Sequence, residues 1–188
     1  MKTKSMILVA LFAAITSVLA LLPAIPLPFS PVPITFQVIG VFLAGAILGP
    51  RLGFLSQLVY LLLGSIGLPV FAGGSAGFSV ILGPTGGYLI GFPIAAFICG
   101  LLISYGEQKK LDPKVAYITA LIAGILAIYM IGTIQLSMVL GMPISKAFLV
   151  GSLPYIPLDA FKIVIAFAIA APTRSRLKAA KLLPMEIA

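Results

Sequence analysis

The chain has no histidine, no tryptophan and one cysteine, and it carries four acidic residues against twelve basic ones in 188 residues. Each shortage removes a class of function. Without histidine and with a single thiol, the usual zinc ligand sets and the Ser/His or Cys/His nucleophile arrangements cannot be built. Cys99 has no second cysteine to pair with inside the chain, and its place in an apolar run reads as that of a small core residue. Nor is there a Gly-x-x-x-x-Gly-Lys-Ser/Thr phosphate loop. Gly83-Pro-Thr-Gly-Gly87 has the glycines but no lysine, and its proline removes an N–H that a phosphate cradle needs. ATP hydrolysis by that route is excluded, no metal or cofactor is called for, and enzymatic activity is not expected.

Charge of either sign is scarce as well. The chain is 61% hydrophobic and 9% charged, whereas soluble domains are about half apolar and a quarter charged. This composition belongs to an all-α integral membrane protein, read as one transmembrane domain over residues 1–188. A net charge of +8 would suit nucleic acid in a soluble protein. Here the basic residues stand beside apolar segments, without the aromatic interleaving of a nucleic-acid surface, so they read as topology.

A membrane-spanning helix needs about 20 apolar residues. Apolar segments run over about residues 6–22, 35–48, 52–63, 88–104, 115–140 and 147–171. The second and third are short, and short spans imply irregular backbone at membrane depth, tolerated only where it is buried in protein or faces water. Between the first two lies a proline-rich stretch from Pro23 to Pro33 that cannot be regular helix, and is expected to be a loop. Residues 64–87 are glycine-rich and are expected to form a re-entrant or lid-like loop. With six passes both termini lie on one side, together with Lys2, Lys4, Arg51, Lys109, Lys110, Lys114, Arg174, Arg176, Lys178 and Lys181, while Lys146 falls on the other. The positive-inside rule makes that side cytoplasmic, so the two irregular loops face outward. Met1-Lys-Thr-Lys before an apolar run also fits a signal peptide, but the even number of passes favours a retained first helix.

Asp159 is the one acidic residue inside a long apolar segment, and Lys162 follows three positions later. A charge there costs at least about 2.5–3.5 kcal/mol on insertion scales, so something compensates. Residues three apart share a helix face, and a proline at position 154 or 157 suits the opening of the final helix. Asp159 then sits in its first two turns, on the outward half of the membrane. Two readings are open: an ion pair that only neutralises itself, or a charged floor for a pocket holding a polar solute. In the first segment Ala10, Ala14 and Ser17 form a small-residue stripe on which another membrane helix can approach closely; spacing alone does not say whether that helix belongs to this chain or to a partner. No pair of matching interrupted segments marks a repeat-built secondary transporter, so any transport energy must come from another protein.

Four linked motifs carry a resemblance. Pro31-Val-Pro-Ile-Thr35-Phe-Gln37, Tyr60-Leu-Leu-Leu-Gly64 continuing through Gly67 and Phe71 to Gly74, Gly83-Pro-Thr-Gly-Gly-Tyr88, and Pro154 followed by Asp159 and Lys162 together resemble the BioY family. These are the biotin-specific S components of energy-coupling-factor (ECF) vitamin importers. The resemblance spans nearly the whole chain. It implies a six-helix S-component fold in the cell membrane of a prokaryote, a biotin site near the outer face, and docking on a transmembrane coupling protein driven by two ATPase subunits. It favours Ala10 and Ala14 as the docking surface.

Biotin carries a ureido ring with two N–H donors and a carbonyl acceptor, an apolar body and a carboxylate tail. Charge complementarity assigns Asp159 to the ureido donors and Lys162 to the carboxylate, unless the two groups form one polar cluster at a single end of the ligand. Tyr88 and Phe71 are expected as apolar walls, Gly73 and Gly74 as points of close backbone approach, and Thr35 and Gln37 as hydrogen-bonding groups, with helix capping an alternative for Thr35. Two rival functions are a biotin facilitator working without ATPases, and an assembly protein whose Asp159 and Lys162 pair only with each other.

Overall fold

The computed structural model describes residues 3–183, so Lys2 lies outside it. Helix α1 (Thr3–Leu21) stops just short of Pro23, since the residue before a proline is pushed out of the helical region. The proline-rich stretch is not a plain loop. It folds into an antiparallel hairpin, β1 (Ile25–Leu27) and β2 (Ser30–Ile34). A ribbon of two strands has a free edge on each, where a missing N–H costs no ladder bond, so prolines 26, 31 and 33 are accommodated.

Helices α2 (Gln37–Leu48) and α3 (Pro50–Ser65) are separated by Gly49 alone, whose φ of 85° turns the chain. Pro50 occupies the first turn of α3, where no intrahelical donor is lost. The glycine-rich region is partly ordered: a 3₁₀ turn at Ala72–Gly74 precedes the short helix α4 (Phe78–Leu82). Two long helices follow, α5 (Gly86–Gln108) and α6 (Pro113–Leu140). Asp112 caps α6 by accepting the Lys114 N–H at 2.7 Å, satisfying one orphan donor of the first turn.

The last pass differs from the single segment expected over residues 147–171. Helix α7 (Ile144–Gly151) ends at Ser152, a 3₁₀ turn covers Leu153–Tyr155, and α8 (Ile156–Ala179) then runs inward. Pro154 breaks the helix, because its ring would clash with the turn before it. Pro157 then opens α8, and Asp159 falls in the first turn.

Among the described residues four stretches are long and apolar enough to cross a membrane: Thr3–Leu21, Gly86–Gln108, Pro113–Leu140 and Ile144–Ala179, the last counted through its break. With the shorter α2 and α3 beside them, the helix count is compatible with the expected six or so passes. Every residue of α2 is buried, because α1, α3, α5 and α8 all pack on it. Such packing demands small residues at the crossings. A Cβ on Gly45 would lie 2.4 Å from the Ala96 carbonyl oxygen. Cys99 is the core residue its surroundings suggested: it is buried between α5 and α6 and donates to the Ala120 carbonyl at 3.3 Å.

Candidate ligand-binding site

A cavity of about 240 Å³ opens among the helix ends on the side away from Lys109, Lys110 and Lys114. Its walls come from β2, the first turn of α2, the 71–75 segment, the start of α5, the middle of α6 and the first turns of α8. Apolar surface dominates. Phe71, Leu89, Phe92, Ile125 and Ile128 supply much of it, and polar side chains enter at a few places. Pockets that orient a small molecule have this character.

Asp159 and Lys162 both face this cavity, and each is nearly buried. The Lys162 Nζ donates to Asp159 Oδ1 at 2.7 Å, and the Tyr129 hydroxyl donates to Asp159 Oδ2. The valences are not exhausted. An ammonium has three donors, and among the described residues only one is engaged; a carboxylate has about four acceptor positions, and two are used. What remains is an acceptor and a donor side by side, pointing into a cavity. The pair thus neutralises itself in part and also lines a cavity.

The other residues singled out from sequence take varied places. Gln37 lies in the first turn of α2, accepts from the Thr35 hydroxyl at 3.0 Å and donates to the Tyr60 hydroxyl at 2.6 Å. Thr35 and Gln37 both line the cavity. Thr35 is no helix cap, since the cap position falls on Phe36 and has no side-chain bond. Phe71 is fully buried, edge-on to the Tyr60 ring at 5.7 Å between centroids. A Cβ on Gly64 would lie 2.2 Å from the Phe71 ring, which explains the glycine in that motif. Tyr88 lines the cavity and donates to the Gly151 carbonyl at 2.8 Å, which ties α5 to the end of α7.

Gly73 and Gly74 are not among the lining residues; their neighbours Ala72 and Ser75 are. Added Cβ atoms there would meet nothing within 4 Å, but the φ angles are 66° and 76°. Their glycine is required by left-handed backbone rather than by space inside the protein.

Tyr129 and Tyr155 were missed from the sequence. The Tyr155 hydroxyl donates to the Val32 carbonyl and sits 2.9 Å from the Ser30 Oγ, fastening the hairpin to the start of α8. A signal for Tyr129 exists: it interrupts an apolar run in the middle of a span, where a buried hydroxyl must find a partner. Tyr155 gives a weaker one, since it stands among loop prolines. Thr133 and Ser152, 2.8 Å apart, form a further buried polar contact beside Tyr88.

A model of the BioY family matches residues 1–179. The chain belongs to the BioY family. It is 51% identical to a probable biotin transporter BioY of Pyrococcus horikoshii over 170 residues, covering 90% of this chain and 96% of the relative. The biotin transporter BioY of Rhizobium etli is 43% identical, with coverage of 88% and 90%. Among solved structures, the S component for biotin from an ECF-type ABC transporter superposes with a TM-score of 0.85 at 32% identity, covering 93% of this chain and 92% of that one. The fold is thus that of an S component: a mostly helical, multi-pass membrane protein.

In this BioY chain Ala10 and Ala14 lie on the exposed face of α1, while the face turned to α2 and α3 carries Val9, Phe12, Ala13 and Thr16. Ser17 is half-buried and its hydroxyl bonds the Ala13 carbonyl at 2.9 Å. Ala10 and Ala14 therefore do not pack against the rest of this chain.

Proposed function

We propose that this protein is the biotin-capturing subunit of an ECF-type importer, a non-enzymatic component that needs no cofactor. It sits in the cell membrane with both termini cytoplasmic, binds biotin from the outer side, and docks through the exposed Ala10 and Ala14 face of α1 on a transmembrane coupling subunit carrying two ATPase subunits. Small side chains there let a partner helix come close in the bilayer.

One observation carries the ligand reading: the Asp159–Lys162 pair is in direct contact yet keeps unused valences toward the cavity. A carboxylate approaching Lys162 would also meet Asp159 and be repelled. A urea edge, with an N–H beside a C=O, matches an acceptor beside a donor. On this reading the ureido ring meets the pair, its N–H donating to Asp159 and its carbonyl accepting from Lys162. This favours one polar cluster at a single end of the ligand over a split of the two residues between biotin's two ends. Phe71, Tyr88 and Phe92 then flank the apolar body.

The test is equilibrium binding of labelled biotin to the purified chain, repeated with bulky residues at Ala10 and Ala14. Saturable binding that survives those substitutions while energised uptake in cells is lost supports both halves of the reading. Absence of binding in folded protein sinks the first half, and uptake that persists without ATPase subunits sinks the second.

A further inference from the structure

A second concavity, of about 500 Å³, runs between α3 and α5 on the outside of the bundle. Four of its five lining side chains, Phe54, Leu55, Ile94 and Phe97, have no polar atom, and the fifth is Arg51. Phe54 and Phe97 meet edge to face at 6.5 Å and form its wall. Arg51 is exposed, and no ion pair or side-chain hydrogen bond among the described residues includes it. It stands back from the end of the neighbouring helix α5. The start of α3 is pinned to Gly100, where a Cβ would lie 2.4 Å from Gly49 and Pro50. Helix α5 continues from there to Gln108, about 12 Å at 1.5 Å per residue, and exposes Leu101, Leu102 and Tyr105 on the way. Apolar surface thus extends beyond Arg51 toward the basic end of the protein.

An unpaired guanidinium at the mouth of an apolar groove, bordered by hydrocarbon-facing surface, calls for an anion that carries its own hydrocarbon. We propose that the α3/α5 groove binds an anionic phospholipid of the leaflet at the basic end, one acyl chain lying along Phe54, Leu55, Ile94 and Phe97 and the phosphate paired with Arg51. Arginine suits this because its planar fork takes two phosphate oxygens at once. A docked helix is the poorer occupant. Close helix approach needs small residues, which α1 offers and this groove, walled by two phenylalanines, does not. The inference rests on the membrane-embedded fold and is independent of biotin.

The experiment is native mass spectrometry of the delipidated full-length protein titrated with phosphatidylglycerol or with phosphatidylcholine of the same acyl chains. Wild-type protein should prefer phosphatidylglycerol. Arg51→Gln should lower that preference about fivefold or more, as expected for one interfacial cation, and leave phosphatidylcholine binding unchanged, while Arg51→Lys retains part of it. Ile94→Trp, which fills the groove, should weaken both lipids. Glycerol phosphate, lacking the chains, should not compete. The proposal is overturned if Arg51→Gln keeps the preference, if Lys114→Gln abolishes it equally, if Ile94→Trp changes neither lipid, or if the wild-type protein does not distinguish them.

Discussion

Helix α8 carries a charge cluster near each end, the inner one centred on the buried Arg174 and the outer one on the buried Asp159 and Lys162, and they are built to different standards. Near its inner end Arg174 uses all five guanidinium donors: two on Glu107 at 3.0 Å, one on Ser104 Oγ at 3.1 Å, and two on the Ala46 and Ile47 carbonyls at 3.2 and 3.0 Å. Lys178 adds a second cation to Glu107 at 2.5 Å. Near the outer end, Lys162 has one bond and Asp159 two, with a cavity in front of them. A charge whose every valence is closed by the protein holds helices together. One left half closed can exchange partners with a solute. Arg174 is as buried as Asp159 and Lys162, although its partners Glu107 and Lys178 are partly exposed, so among these three buried charges it is the count of unused donors and acceptors that separates a lock from a site.

The largest contrast should come from cutting the lock. Arg174→Met leaves two carbonyls of α2 without their donor and Glu107 paired with Lys178 alone, and because Glu107 is partly exposed the cost should be about 3 kcal/mol, the low end for a broken buried pair. Thermal unfolding in detergent should show a strongly lowered midpoint, while the folded fraction binds biotin with unchanged affinity. A loss of affinity in protein that stays folded would mean that the two ends of α8 are coupled, and the contrast would fail.

The reverse pattern is expected at the outer end. Asp159→Asn and Lys162→Met each remove one member of the hydrogen-bonded charge pair on which the proposed function puts the ligand, so affinity should fall by about 2–5 kcal/mol. Isothermal titration against biotin measures it. Since the cavity already admits solvent, unfolding midpoints should move less than for Arg174→Met. Equal destabilisation with intact binding would make this pair a second lock.

Much of this contrast was legible in the chain, though unevenly. An acid within an apolar run is a conspicuous expense, and a lysine one turn later on the same face names its partner, so Asp159 and Lys162 were found by local spacing. Arg174 was counted only as one of several basic residues fixing topology. Its partner Glu107 is far away in sequence on α5, and no local periodicity links them. The hairpin was hidden for a similar reason: prolines forbid helix without saying what replaces it, and the choice was made by Tyr155, which holds β2 from across the fold. The break between α7 and α8 could be read more closely, since Pro154 and Pro157 mark it. What the glycines at 73 and 74 do depends on backbone angles, which composition does not reveal.

A smaller effect sharpens the comparison at Tyr129. Its hydroxyl closes one Asp159 oxygen and so limits what the carboxylate can offer a ligand. Tyr129→Phe removes a single hydrogen bond to a charged group, worth about 1.5–3 kcal/mol at most, and the cavity gives the freed oxygen another partner in solvent or ligand. Biotin affinity should drop by about tenfold or less, with little change in the unfolding midpoint. A loss as large as that of Asp159→Asn would make Tyr129 a direct ligand contact.

The smallest expected effect decides what the pair reads. If Lys162 donated to the valerate carboxylate, Lys162→Met would penalise biotin far more than its uncharged methyl ester, with a coupling of about 1–3 kcal/mol between residue and ligand group. If the pair takes the ureido edge, the ester differs from the acid at a distant point, and groups with no shared partner couple by less than about 0.5 kcal/mol. The four affinities of wild type and Lys162→Met for acid and ester close a cycle in which any general loosening of the pocket cancels. A near-zero coupling, repeated with Asp159→Asn, is the expected result and leaves donor and acceptor acting as one recognition unit. A coupling above about 1 kcal/mol for Lys162 alone would split that unit and move the carboxylate onto the ammonium.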